Sequence, residues 1–220
     1  MARPGQQQQQ QQQGTLSPHR RTQHTTHRTR LHSCRAASQN PSPGQGGISS
    51  HARSHATQLQ VALKEWEPIC AALQAGDQTV LLRKGGIRDP SFEIRSTQFA
   101  LLGTGFHNNE QLLKHDANPH YHELCEYDPG PVLSIAGWVE CTAAWNVLDP
   151  IVLEATDPFH IWGPSFVHKR LRWKEEQPIT LLETRVHSLR DPIMFNSEER
   201  FWGCFSWVDL PADVATALLE

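Results

Sequence analysis

The first 57 residues lack acidic side chains: no Asp or Glu precedes Glu65. This segment also lacks Trp, Tyr and Phe, and it carries seven Arg, six of the 13 His and a run of eight Gln. Because so few apolar residues cannot offset the entropy of ordering, we predict that residues 1–57 are disordered. An Arg-rich, Ser/Thr-rich and acid-free N-terminus is typical of a transit peptide. The alternatives are a low-complexity tail and a basic arm that touches nucleic acid.

Long apolar runs are also missing, which argues against a secretory signal or a membrane span. We therefore expect no membrane contact, and we expect the organelle import machinery as a partner. The cysteines are few and far apart, and no CxxC spacing occurs. They are Cys34, Cys70, Cys125, Cys141 and Cys204. This pattern indicates reduced thiols rather than a disulfide scaffold.

The common motifs of enzymes are absent: no GxSxG, Walker A loop, HExxH or Rossmann glycine set occurs. The segment HYHELC offers His120, His122 and Cys125 as metal ligands. A fourth ligand is not evident and the spacing fits no standard zinc pattern. The sequence therefore predicts no metal and no cofactor.

Basic residues are scarce after the N-terminal segment. Residues 58–220 contain 13 Lys and Arg against 23 Asp and Glu, a net charge of −10. A body this negative is repelled by a phosphate backbone unless its few cations are clustered. Non-specific duplex binding is thus disfavoured, whereas a small local anion site is not.

Apolar spacing predicts an N-terminal helix through Leu59, Leu63, Trp66 and Leu73, kinked or restarted at Pro68. A second helix is predicted at 164–173, because Pro164 suits a first helical turn. Strands are predicted at 80–82, 92–94, 99–102, 132–148, 179–189 and 204–210, with a bend at Gly137. We expect one α+β domain over residues 58–220, with an antiparallel sheet that is either open or barrel-like.

The segment TVLLRKGGIRDPSFEI, residues 79–94, carries the first site prediction. Gly85 and Gly86 allow positive φ, so that successive amides can converge on an anion. Arg83, Lys84 and Arg88 would add charge and bidentate donors. The alternative is a hairpin tip whose charges only keep an edge strand soluble.

Thr104 and His107 follow a predicted strand in a loop flanked by glycines, which is a usual place for a functional His. A His that only hydrogen-bonds a backbone carbonyl is the alternative. Glu93 and His107 are the acid and base candidates if the protein is an enzyme. The series from Asp89 to Glu93-Ile94-Arg95 imitates a restriction-type nuclease motif loosely, with Arg where Lys is needed to activate water.

The predicted helix at 164–173 contributes a third set of candidates. Lys169 and Arg170 with the aromatic rings of Trp162 and Trp173 could contact phosphate or stack on bases. The alternative places the tryptophans in the core and the cations on a solvated face.

Several blocks together resemble one family in the correct order. They are ALKEW, LLRKGGI, FHIW and GCFSWVDL. The family is a bacterial and cyanobacterial domain of unknown function, number eighteen hundred and two of that series. The resemblance implies no activity, though links to nuclease-like domains suggest a nucleic-acid context. Its presence in cyanobacteria favours the chloroplast over the mitochondrion as the destination. The order of helix, GDQT and strand is weakly similar to PUA and ASCH domains, small barrels that bind RNA.

The function that we predict is a plastid module that binds a phosphate-bearing ligand, either a nucleotide or a nucleic acid. A nuclease-like or nucleotide-processing enzyme is the second hypothesis. A scaffold without a small ligand is the third.

Overall fold

The computed structural model describes residues 59–85, 91–105 and 107–220. The predicted transit peptide, Gly86 and Arg88 lie outside the described residues. The transit peptide and the roles of these two residues in anion binding therefore stay predictions. Six strands form one sheet: β1 (Val61–Trp66), β2 (Val80–Arg83), β3 (Gln98–Thr104), β4 (Val132–Val147), β5 (Ile179–Asn196) and β6 (Trp207–Asp209). Five α-helices accompany it: α1 (Glu67–Ala75), α2 (Pro119–Glu123), α3 (Pro150–Ala155), α4 (Pro164–Arg172) and α5 (Ala212–Ala217).

The strand order is β2-β5-β4-β3-β1-β6, and every pair is antiparallel except β1 with β3. The prediction of an α+β fold with a largely antiparallel sheet is confirmed. Backbone pairing among the described residues leaves β2 and β6 as edges, so the sheet is open rather than a closed barrel. Side chains join the two edges at one point, because Arg83 at the end of β2 donates to Ser206 beside β6.

The predicted N-terminal helix is wrong in its first half, where residues 61–66 form β1. The strand lies between β3 and β6, and its side chains alternate between two apolar clusters. Leu63 packs into the larger cluster, with α1 and α4, while Ala62 packs into the smaller one, with α5. All six residues are therefore buried, which hides the period of two that marks a half-buried strand. The alternative of a new helix near Pro68 is correct, since Pro68 lies in the first turn of α1.

The predicted hairpin of residues 80–82 with 92–94 is also wrong among the described residues. β2 pairs with β5 from Val80↔Glu183 to Arg83↔Thr180, and residues 91–97 form no strand. This pairing buries the apolar side chains of β2 against a strand about 100 residues further along the chain. Local glycine and charge patterns cannot specify such a distant partner.

The strands predicted at 132–148 and 179–189 are confirmed as β4 and β5, which form a long antiparallel pair. Its register runs from Val132↔Asn196 to Val147↔Ile179, and the predicted bend at Gly137 coincides with an irregularity between Ile135 and Gly137. The predicted helix at 164–173 is confirmed as α4. In the described part of the chain, no helix has the length and apolar character to cross a membrane.

Candidate anion-binding site

A cleft of about 160 Å³ opens where β1, β2, α4 and the segment before β6 meet. Five residues predicted from the sequence as ligand contacts line it: Arg83, Lys84, Thr104, His107 and Arg170. The fold therefore brings together candidates from three separate segments. The other lining residues are Lys64, Glu65, Trp66 and the run Gly203, Cys204, Phe205 and Ser206.

The cleft is positive although the surrounding domain is negative. Four of the 13 basic residues after position 57 line it, against one of the 23 acidic residues. The single carboxylate is Glu65, whose side chain is 5% exposed. A local cluster of this kind is what a domain with a net charge of −10 needs if it is to attract an anion.

Arg83 and Glu65 form the ion pair at the floor of the cleft, with 2.6 Å between Nη1 and Oε2. Arg83 Nη2 also donates to Ser206 Oγ at 2.9 Å, and Trp66 N donates to Glu65 Oε1 at 2.9 Å. The Nη groups of Arg83 are thus largely committed to the protein. Its guanidinium stays close enough to lend charge to the cleft, and it lies 5.3 Å from the ring of Phe92.

Arg170 differs from Arg83, because its guanidinium makes no hydrogen bond to another described residue. It lies 5.0 Å from the Phe166 ring, and that ring stacks on Trp162 at 3.8 Å. Burial lowers the pKa of Arg170, Arg83 lowers it further, and Glu65 acts in the opposite direction. An Arg remains charged at neutral pH despite such a shift. Among the described residues, Arg170 therefore presents a planar cation that lies over the Phe166 ring and whose guanidinium makes no hydrogen bond.

Lys64 and Lys84 use their ammonium groups to hold backbone. Lys64 Nζ donates to Phe201 O at 2.7 Å and to Gly203 O at 2.8 Å. Lys84 Nζ donates to Arg170 O at 2.9 Å, at the C-terminal end of α4. Burial lowers the pKa of both lysines. Their charges add to the field in the cleft while their donors position its walls.

Replacing Lys84 with Met is expected to lower the free energy of unfolding by about 1–3 kcal/mol, because two carbonyls of α4 lose a charged donor. Urea denaturation followed by Trp fluorescence measures the change. Lys169→Met is the matched control, since Lys169 is an exposed residue of the same helix. Equal effects of the two substitutions would contradict the role assigned to Lys84.

The other candidates in the described part of the chain do not line the cleft. Trp162 is 2% exposed and stacks on Phe166. Trp173 donates from Nε1 to Gly85 O at 3.2 Å, and Lys169 points to solvent on α4. Glu93 lines a neighbouring cleft of about 360 Å³ that shares Phe205 and Ser206 with the first. The two acid–base candidates, Glu93 and His107, therefore line different cavities.

The residues that sequence reasoning missed are Lys64, Glu65 and Cys204. Lys64 and Glu65 could have been identified as site candidates from their position inside the apolar segment VALKEW. Charged residues that are buried need partners, and such partners are often found at sites. Metal chemistry gains no support in the described ranges, where no group of three or more His, Cys, Asp and Glu is placed to hold an ion. His122 of the HYHELC segment instead contacts Lys114 O.

Comparisons with known proteins give a family and a set of structures. No curated protein matches the sequence. Among solved structures, the ASCH protein of Zymomonas mobilis matches with 14% identity over 73% of this chain and 93% of that chain, at a TM-score of 0.46. A single-residue variant of the same protein matches with 12% identity, 74% and 97% coverage and a TM-score of 0.48. ASCH is one of the two domain types that the sequence pattern resembled.

The family model described as "Domain of unknown function (DUF1802)" matches residues 62–218. These limits include every residue of the cleft and, apart from Val61 at the start of β1, every strand and helix of the described fold. The four sequence blocks had indicated the same family. The match spans well over half of the sequence, and the chain belongs to the DUF1802 family.

Proposed function

We propose that the cleft binds the phosphate group of a nucleotide or of a nucleic acid. The observation that carries this proposal is the guanidinium of Arg170, which lines the cleft beside Arg83 and has no hydrogen-bond partner among the described residues. A planar guanidinium with available donors suits the bidentate recognition of phosphate. A bound anion would also relieve the crowding of four cations around one carboxylate.

Aromatic rings beside the cleft favour a nucleotide over free phosphate. Phe92 and Trp207 stack with their ring centroids 5.8 Å apart, and both line the neighbouring cleft. Phe205 and Ser206 lie between the two cavities and contribute to both. A base could therefore contact aromatic faces while its phosphate reaches the guanidinium groups.

Substitution of Arg170 by Gln is expected to weaken the binding of a nucleoside monophosphate about tenfold or more. A charge-assisted hydrogen bond contributes about 1.5–3 kcal/mol, and 1.4 kcal/mol corresponds to a factor of ten. Isothermal titration calorimetry on the full chain, at two salt concentrations, measures the loss. Weaker binding at the higher salt concentration is expected for both proteins.

Lys169→Gln provides the matched control, because it removes one positive charge from the same helix outside the cleft. It should change the dissociation constant less than twofold. The Arg-rich N-terminal segment is identical in both variants, so any binding to it cancels in the comparison. Equal affinities of the Arg170→Gln and Lys169→Gln proteins would overturn the proposal.

A further inference from the structure

A thiol and an imidazole meet at the rim of the cleft. Cys204 Sγ lies 3.4 Å from His107 Nε2, although the two residues are 97 positions apart in the sequence. Cys204 is exposed, whereas Cys70 and Cys141 are buried and Cys125 is half-buried. A thiol that is both accessible and in contact with an imidazole has the arrangement of an activated nucleophile.

The loop that carries Cys204 is fixed from below by Lys64. The Lys64 ammonium binds the carbonyls of Phe201 and Gly203, and it lies 4.5 Å from the centroid of the Phe205 ring. Burial lowers the pKa of Lys64, whereas the nearby Cys204 raises it. Lys64 therefore places a positive charge beside the loop that carries Cys204.

His107 is held in an unusual backbone conformation, with φ at 66°. The left-handed region costs a non-glycine residue roughly 1–2 kcal/mol. Such conformations concentrate at functional sites, where the surrounding structure maintains them. Here the conformation accompanies the contact of the imidazole with Cys204.

We propose that Cys204 and His107 form a nucleophile–base pair that transfers an acyl group from an acyl phosphate. The inference rests on the proposed function for its leaving group, since Arg83 and Arg170 line the same cleft as the pair. In this proposal the Arg170 guanidinium binds the phosphate of the donor, Arg83 adds positive charge, and the thiol attacks the adjacent carbonyl carbon. The description of the family names no reaction of this kind.

The reaction proceeds in two steps that balance. In the first, His107 Nε2 accepts the Sγ proton, Sγ bonds to the carbonyl carbon, and the bond from that carbon to the phosphate oxygen breaks. The phosphate leaves with the electron pair and receives the proton from the imidazolium. In the second, His107 removes a proton from water, the hydroxide attacks the thioester, and the carbon–sulfur bond breaks with its electron pair on sulfur. The imidazolium returns its proton to Sγ, and the carboxylic acid releases its proton to water. The products are a carboxylate, phosphate and the regenerated thiol.

Acetyl phosphate and p-nitrophenyl acetate are the probes, and intact-protein mass spectrometry of the full chain is the measurement. The wild-type protein should gain one acetyl group at Cys204 from either donor, as located by peptide mapping. Cys204→Ser should abolish this product, and Cys125→Ser should retain it. His107→Asn, chosen because Asn tolerates positive φ, should slow acetylation at least tenfold at neutral pH. Circular dichroism confirms that each variant is folded.

The two donors separate this inference from the proposed function. Arg170→Gln should slow the reaction with acetyl phosphate at least fivefold more than the reaction with the uncharged ester. If Arg170→Gln changes the rates with both donors equally while His107→Asn slows both, Arg170 does not bind the phosphate. The proposed phosphate site and the assignment of an acyl phosphate as donor would then both be wrong. If wild type and His107→Asn react at the same rate with p-nitrophenyl acetate, the nucleophile–base pair is overturned, whatever the calorimetry of nucleotide binding shows.

The rate of alkylation supplies a readout that a merely structural His107 would not move. Iodoacetamide should modify Cys204 of the wild type several-fold faster than Cys204 of His107→Asn at neutral pH, because the adjacent imidazole accepts the thiol proton. Equal rates would overturn the proposal as well.

Discussion

Arg83→Met is expected to lower the free energy of unfolding by about 3–5 kcal/mol, since it leaves the Glu65 carboxylate buried without its cation. The Arg83 and Glu65 side chains are 14% and 5% exposed, and their charged atoms lie 2.6 Å apart. The same substitution also removes the hydrogen bond to Ser206 that joins the two edges of the sheet. Urea denaturation followed by Trp fluorescence measures the loss.

Two further variants test the cause of that loss. Arg95→Met breaks an ion pair of similar length, 2.7 Å to Asp209, whose side chains are 44% and 68% exposed. It should cost less than about 1 kcal/mol, because water screens exposed pairs. Combining Arg83→Met with Glu65→Gln removes the stranded charge and keeps an acceptor for the Trp66 N–H, so it should restore at least half of the lost stability. Equal effects of Arg83→Met and Arg95→Met would show that burial of the pair is irrelevant.

Acid should destabilise the protein through His160, by roughly 3 kcal/mol between pH 6.5 and pH 4. His160 is 3% exposed, and its ring nitrogens make no hydrogen bond of ordinary geometry; the weaker contacts with the backbone of His160 and Trp162 favour the protonated ring less than burial opposes it. Burial, aided by the charge of Lys114, lowers the pKa of His160 to about 4. In this pH window the unfolded chain binds a proton that the folded protein does not, so stability falls as the pH falls. Above pH 6.5 and below pH 4 this residue contributes no slope.

His160→Leu should remove this part of the pH dependence, whereas the exposed His168→Leu on α4 should retain it. The measurement is a series of urea denaturation curves at several pH values for the three proteins. The difference in unfolding free energy between wild type and His160→Leu is the quantity that decides, because titrating carboxylates contribute equally to both. A difference that does not change with pH would contradict the burial of a neutral imidazole.

The elements that the sequence predicts well are those whose signal is local. The strands β4 and β5 have long apolar patterns, and α4 begins with Pro164 in its first turn. β1 was predicted as a helix because both of its faces are buried, so the spacing of its apolar residues is compatible with a helix. The strand that pairs with β2 was predicted wrongly because the pairing with β5 depends on the packing of the whole sheet.

The site residues that were predicted are likewise those with a local signal in the sequence. Arg83 and Arg170 were predicted from charge and from aromatic neighbours, and both line the cleft. Lys64 and Glu65 were overlooked because a helix was predicted where β1 lies, and a helix carries charges on its solvent face. Cys204 was overlooked because its relation to His107 exists only once β3 and β6 flank β1 in the sheet.

A crystal structure of the protein with bromouridine monophosphate would show directly whether the cleft binds a nucleotide phosphate. We expect phosphate density within hydrogen-bond distance of the Arg170 guanidinium, about 3 Å. We also expect an anomalous bromine signal beside Phe92 and Trp207. Nucleotide bound elsewhere, or an empty cleft at a saturating nucleotide concentration, would contradict the proposed binding site.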